Sequence, residues 1–317
     1  MSQLDPILCP SCNRSIVSEK FTPDERGGAT SAASYASCLR RCADCRIGFS
    51  NARDPKTVVR IHRDLRMNIP EPVRASVLEI LASAINIRNR ENKCTKFAFE
   101  SSEDAATWTV FRHLQMTSSI APVLRACGLD APCEPSLLLW GVPIGVGDSS
   151  AHALRDQLLS LLGRLGEKPD RLSEPDVILE FGEAGLIIIE VKYRSPNDKK
   201  DAGYKGWGTY IDHTNAFIDA SEVRRSGQYE LTRNWRIGWE LAGIRRPFTL
   251  VNLGPAYLFA DAEGMRLDDF SRTLRRSDDR RFERTSWDRF LAAIPFPPDW
   301  FAAYTAARHL HDPDPRA

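Results

Sequence analysis

The chain has 317 residues, enough for one well-buried core and a smaller second module at the usual size of about 100–200 residues per domain. Its 43 Lys and Arg nearly balance 42 Asp and Glu, which excludes recognition of nucleic acid through a global basic excess and leaves that task to local patches. No apolar run approaches the roughly 18 residues of a membrane span, and the start MSQLDPILCPSC has neither the charged nor the apolar region of a signal peptide, so a cytoplasmic protein with no membrane partner is expected.

Residues 1–50 hold five of the eight cysteines. Cys9-Pro-Ser-Cys12 and Cys42-Ala-Asp-Cys45 each have the two-residue interval at which a tight knuckle presents two thiolates to one tetrahedral zinc. The gap between the knuckles is longer than the usual ribbon interval of about 15–20 residues, and Cys38 is an alternative to Cys42 as a ligand. The stretch between them, GGATSAASYAS, has no apolar periodicity, so metal rather than a core is expected to order a small zinc ribbon here. Four thiolates close the site, which makes it structural. Cys94, Cys127 and Cys133 lack paired spacing and are expected in the core.

Residues 51–95 read as a helical connector, with Val73, Val77, Leu81 and Ile85 at fourfold spacing on one helix face. Over 96–262 helical and strand-like pieces alternate. A helix starts after Ser101 or Ser102 and runs through EDAATWTVFRHL; PSLLLWGVPI is a strand, HALRDQLLSLLGRL a helix, DVILEF and GLIIIEVKY a hairpin, GQYELTRNWRIGWELAG a helix and PFTLVNLGPAYLF a strand. This order predicts an α/β or α+β fold, a mixed sheet with helices on both faces. Residues 263–317 are expected to form a C-terminal helical extension, SWDRFLAAI and PDWFAAYTAARHL, capped by Ser286 and Asp299 and followed by the low-complexity tail DPDPRA.

The hairpin carries the chemistry. A strand of leucine and isoleucines ends in Glu190-Val191-Lys192, and its period of two places Glu190 and Lys192 on one face while Val191 turns into the core. Asp176 opens the neighbouring strand. Two carboxylates with an ammonium beside them suit hydrolysis of a phosphodiester with magnesium, which takes hard oxygen ligands from one or two carboxylates and the rest from water and phosphate. The bland reading of Glu190 and Lys192 is a salt bridge at a strand end. Residue parity sets a condition: an even loop centred on Glu183 and Ala184 would put Asp176 opposite Val191, so a shared metal requires an odd loop or a bulge between 177 and 189.

Pro175-Asp176, a hairpin-length interval and Glu190-Val191-Lys192 together resemble the PD-(D/E)XK nuclease superfamily over roughly 96–262. The resemblance implies a restriction-endonuclease-like core and a magnesium-dependent DNA endonuclease, a restriction or phage-defence enzyme, in which Asp176, Glu190 and Lys192 are catalytic. It further implies a carboxylate from an upstream helix, for which Glu103 fits and Asp104 is the rival. DNA is then the expected partner, gripped by Arg194, Lys199, Lys200 and Lys205 in a loop with Tyr204 and Trp207, and by Gln228, Arg233 and Arg236 on the next helix. A homodimer or a defence-system partner protein would also suit the resemblance. The alternatives are a zinc-ribbon nucleic-acid-binding protein whose nuclease-like domain does not cut, and a structure-specific or RNA-directed nuclease. His113 and His213 lack a nucleophile to serve and are expected to be structural. GVPIGVGDSS lacks the Lys and Ser/Thr of a phosphate loop, so ATP use is not expected.

Overall fold

In the computed structural model, which describes residues 3–22, 32–54, 57–145 and 147–311, each cysteine pair sits at the turn of a small antiparallel ribbon. β1 (Ile7–Leu8) pairs with β2 (Ser15–Ile16), and β3 (Arg40–Cys42) pairs with β4 (Ile47–Phe49), which in turn pairs with β5 (Arg60–His62). These belong to the first of two compact units, residues 1–77 with 90–109; the second is 78–89 with 110–317. The Ser/Ala/Gly-rich stretch lies partly, and the DPDPRA tail wholly, outside the described residues.

The expected connector helix is broken. Val73, Val77, Leu81 and Ile85 are all buried, as their spacing implies, but Ser76 takes a left-handed φ of 64° and divides a single turn at Glu71–Val73 from helix α1 (Val77–Ser83). Helix α2 (Arg90–Phe97) follows. β5 also lies in the stretch expected to be helical. Helix α3 (Glu103–Met116) starts as expected, with the Ser102 hydroxyl accepting from the Ala105 N–H at 3.2 Å.

The second unit is built on a six-stranded mixed sheet flanked by helices. After helix α4 (Ile120–Ala126) come β6 (Ser136–Leu139) and β7 (Val142–Pro143), helix α5 (Ser149–Arg164), β8 (Val177–Glu180) and β9 (Leu186–Val191). Helices α6 (Trp207–Ile211), α7 (Ala220–Ser226) and α8 (Tyr229–Ala242) then lead to β10 (Phe248–Gly254), and helix α9 (Asp261–Thr273) leads to β11 (Arg280–Ser286). Helices α10 (Trp287–Ala292) and α11 (Asp299–Ala307) follow. Strand order is β11-β10-β9-β8-β6-β7: β9, β10 and β11 run parallel and the rest antiparallel. Parallel neighbours need a crossover, which is why helices separate β9, β10 and β11 while a short turn joins β8 to β9.

β11 is the strand that the sequence hid, in the stretch expected to be helical. Its residues RRFERTS bury Arg280, Phe282 and Thr285 and leave the others half-exposed, and Arg280 donates to the carbonyls of Arg246 and Gly243. Ser286 stands at the N-terminal boundary of α10 without a side-chain capping bond, and α11 is entered from Pro298 with Asp299 in its first turn. One core runs beneath the sheet: Leu154, Leu158 and Leu161 of α5 and Leu231 and Trp235 of α8 pack with Ile178 and Ile188. All six residues of β9 are buried. Each buried isoleucine there contributes about 1.5–3 kcal/mol, which offsets the cost of ending the strand in buried charges. Among the described residues no helix is long and apolar enough to cross a membrane.

Candidate functional site

The β8–β9 pairing runs from Val177 opposite Ile189 to Glu180 opposite Leu186, leaving the five residues 181–185 in the loop. That odd number continues the register to Asp176 opposite Glu190, the parity a shared site demands. Gly185 makes it feasible: its φ of 135° with ψ of −173° is a conformation for glycine, and a Cβ there would meet the Pro247 carbonyl at 3.0 Å. Asp176 is anchored at the mouth of the hairpin, where its Oδ2 accepts from the Val191 N–H at 2.9 Å. The loop before it is tied down by Glu174, whose Oε1 accepts from the Asn86 N–H at 2.8 Å. Glu167 helps from further back, accepting from the Ser173 N–H and from the Tyr210 hydroxyl, each at 2.6 Å.

Glu190 and Lys192 are almost wholly buried, and the Lys192 ammonium lies 2.6 Å from Glu190 Oε1. It also lies 2.7 Å from Oε2 of Glu230, a residue that sequence reasoning missed. Glu230, Arg233 and Asn234 share one face of α8 at intervals of three and four residues. From that face Asn234 donates to Glu190 Oε2 at 2.5 Å, and Arg233 approaches Glu230 at 3.8 Å. Behind the site Asn252 of β10, in register with Glu190, exchanges two hydrogen bonds with Asn197 at 2.9 and 3.1 Å. The helical spacing of Glu230 and Asn234 was visible in the sequence; their facing was not.

Three carboxylates, Asp176, Glu190 and Glu230, thus meet two cations, Lys192 and Arg233. Burial, with the charges of Asp176 and Glu230 added, pushes the Glu190 carboxyl well above the usual carboxylate range, against the pull of Lys192 and Arg233. Burial acts on Glu230 in the same sense, yet Lys192 and Arg233 overcome it and hold Glu230 at about 2. Of the two carboxylates on Lys192, Glu230 is held in its charged form, while burial and its acidic neighbours disfavour the charged form of Glu190.

The other expected residues divide. Glu103 stands at the start of α3 in the first unit, whereas Asp176, Glu190 and Lys192 are in the second; its rival Asp104 pairs with Lys93 at 3.1 Å. Arg194 and Lys205 are exposed. Lys200 pairs with Asp198 at 3.0 Å and reaches over the half-exposed Tyr204 ring. Lys199 is bound by Glu263. Gln228, expected to touch DNA, is wholly buried as the residue before α8 and donates to Glu263, so it does not face solvent. Trp207 is also buried, its ring N–H spent on the Asp201 carbonyl, which leaves Tyr204 as the stackable ring of the pair. Arg236 is taken by the Tyr210 and Asp212 carbonyls and by Glu240. His113 is buried against Trp300 and Phe301, a packing role.

In the first unit Cys9, Cys12, Cys42 and Cys45 place their sulfurs within 4.8 Å of one another, close enough to bind one metal ion, and among the described residues this is the only such group of three or more Cys, His, Asp or Glu. Each knuckle closes through a left-handed residue, Asn13 and Arg46, both at φ 55°. Burial opposes ionisation of Cys9, but the backbone N–H groups of Ser11 and Cys12 bring its thiol down to about 7. Cys38 is outside the group: it is buried beside Gly48, and burial pushes its thiol up to about 11. Cys127 is buried as expected, while Cys94 is half-buried and Cys133 exposed.

The chain matches no protein-family model, no curated protein and no solved structure.

Proposed function

We propose that the second unit is a metal-dependent nuclease that hydrolyses phosphodiester bonds of DNA, with Asp176 and Glu190 as magnesium ligands and Lys192 as the catalytic cation. The observation that carries this reading is the odd hairpin loop, which sets Asp176 opposite Glu190 while Lys192 is bonded to Glu190. A donor set of hard carboxylate oxygens, with a surplus of negative charge, fits magnesium. When bound, the ion supplies Lewis-acid activation of water and neutralises charge on the phosphate. Glu190 of β9 and Asp176, the residue before β8, would hold it. Lys192 donates to a non-bridging phosphate oxygen and stabilises the charge that develops as the water oxygen bonds to phosphorus and the P–O bond to the leaving sugar oxygen breaks. The leaving oxygen takes up one proton, and the water gives up one. Arg194, Lys200 and Lys205 with the Tyr204 ring are the groups available to hold the backbone and a base.

The first unit reads as a structural zinc ribbon. Zn–S bonds of about 2.3 Å give a tetrahedron with edges of about 3.8 Å, and Cys12 and Cys42 already stand 3.7 Å apart. Supercoiled plasmid incubated with the protein and magnesium, with and without EDTA, tests the nuclease. Nicked or linear product that depends on magnesium and is lost in Asp176→Ala and Lys192→Ala supports it; binding of DNA with no cutting by wild type would leave the non-cutting alternative.

A further inference from the structure

The Lys192 ammonium has two carboxylates within 2.7 Å, and only one of them belongs to the expected catalytic motif. A magnesium ion held by Glu190 would compete for the oxygens that Lys192 now uses and so weaken one of the two carboxylate contacts on its ammonium. We infer that Glu230 is a positioning residue: it retains Lys192 beside the reacting phosphate when Glu190 turns to the metal. This rests on the reading of Asp176, Glu190 and Lys192 as a nuclease site.

Glu230 is placed for that task. It stands in the first turn of α8, so its backbone is fixed by a fourteen-residue helix packed on the sheet. Its Oε2 accepts from both Lys192 at 2.7 Å and the Asp198 N–H at 3.1 Å, and its Oε1 faces Arg233 at 3.8 Å. These partners spend its oxygens on holding cations and a loop, not on the ion. Its neighbour Asn234 holds the other catalytic carboxylate, so one helix face orients both Glu190 and Lys192. The Asp198 contact also ties the loop bearing Lys200 and Tyr204 to the same carboxylate.

Two variants test this, Glu230→Gln and the charge-keeping Glu230→Asp. The first readout is the reactivity of Lys192 toward acetic anhydride, followed by peptide mass spectrometry, with and without magnesium. In wild type Lys192 stays protected in both conditions. In Glu230→Gln it is expected to gain at least about tenfold in labelling on addition of magnesium, because one carboxylate contact is gone and the metal draws on the other, with Glu230→Asp between the two. The second readout is plasmid cleavage, where Glu230→Gln lowers the maximal rate by about 100-fold with little change in KM or in the thermal shift caused by magnesium. Wild-type cleavage with Lys192 equally protected and the maximal rate unchanged in Glu230→Gln overturns the role of Glu230 alone. Wild type showing neither cleavage nor a magnesium-dependent thermal shift overturns the nuclease reading beneath it.

Discussion

Asp176→Asn makes a demand of opposite sign on the metal-free and metal-bound protein. Without metal the change removes one of three carboxylates from a buried cluster with two cations. Opposed residues in an antiparallel pair have Cβ atoms about 4.5–5.5 Å apart, and two like charges at about 5 Å in an effective dielectric of about 20 repel by roughly 3 kcal/mol. Lys192 and Arg233 offset part of this, so the expected gain is about 1 kcal/mol. The Asn side-chain oxygen still accepts from the Val191 N–H, so no buried donor is orphaned. With magnesium the order reverses: wild type gains about 2.7 kcal/mol at 100 times its Kd, and the variant, short of a ligand, gains little. Thermal unfolding followed by tryptophan fluorescence reports this unit, because Trp108 alone of the seven tryptophans lies in the other. In EDTA the variant is expected to melt about 2–4 °C above wild type, and in excess magnesium below it. Curves that keep one order in both conditions would refute the shared-metal geometry.

Glu190→Gln should remove a pH dependence. A carboxyl raised by folding favours the native state while it is protonated, and that contribution is lost as pH rises through its raised pKa, so metal-free wild type should lose stability relative to Glu190→Gln on going upward from the ordinary carboxylate range; parallel urea melts across pH would deny it. Cys9→Ser and Cys45→Ser should lower bound zinc and loosen the first unit while the tryptophan-rich unit melts unchanged, and Cys38→Ser should keep its zinc; elemental analysis showing the reverse would reassign the ligands. Arg194→Ala with Lys205→Ala should weaken DNA binding and reduce its salt slope by about 2 without stopping cleavage at saturating enzyme, whereas an unchanged salt titration would place both outside the interface.

Local periodicity made most of the second unit legible. The leucines of α5 and the isoleucines of β9 each bury one face or both, and such patterns survive without knowledge of the neighbours. β11 escaped because an edge strand that buries Arg280 by bonding its guanidinium to backbone carbonyls carries no apolar signature. The connector helix was read one element too long because Ser76 bears a left-handed φ that its residue type does not announce. Among basic residues composition misled most: Lys199 looks like a phosphate contact in sequence, but it is bound by Glu263 from a distant segment, a pairing that only tertiary structure shows, whereas Arg233 faces Glu230 one helical turn away on α8.

The same limit explains why Glu103 was singled out in the sequence and Glu230 was not. An acid in the first turn of a helix is common, since it favours the helix dipole wherever the helix lies, and both residues occupy that position. What distinguishes Glu230 is the crossover that joins β9 to the parallel strand β10: it must return across the sheet, and it lays the first turns of α8 against the end of β9. A carboxylate in that turn meets Lys192 because the topology forces the approach, whereas α3 precedes the sheet in sequence and owes β9 no such connection. The strand supplies Glu190 and Lys192, the odd loop brings Asp176, and the crossover brings Glu230. The first two were readable from spacing and parity along one hairpin; the third required knowing that β10 runs parallel to β9.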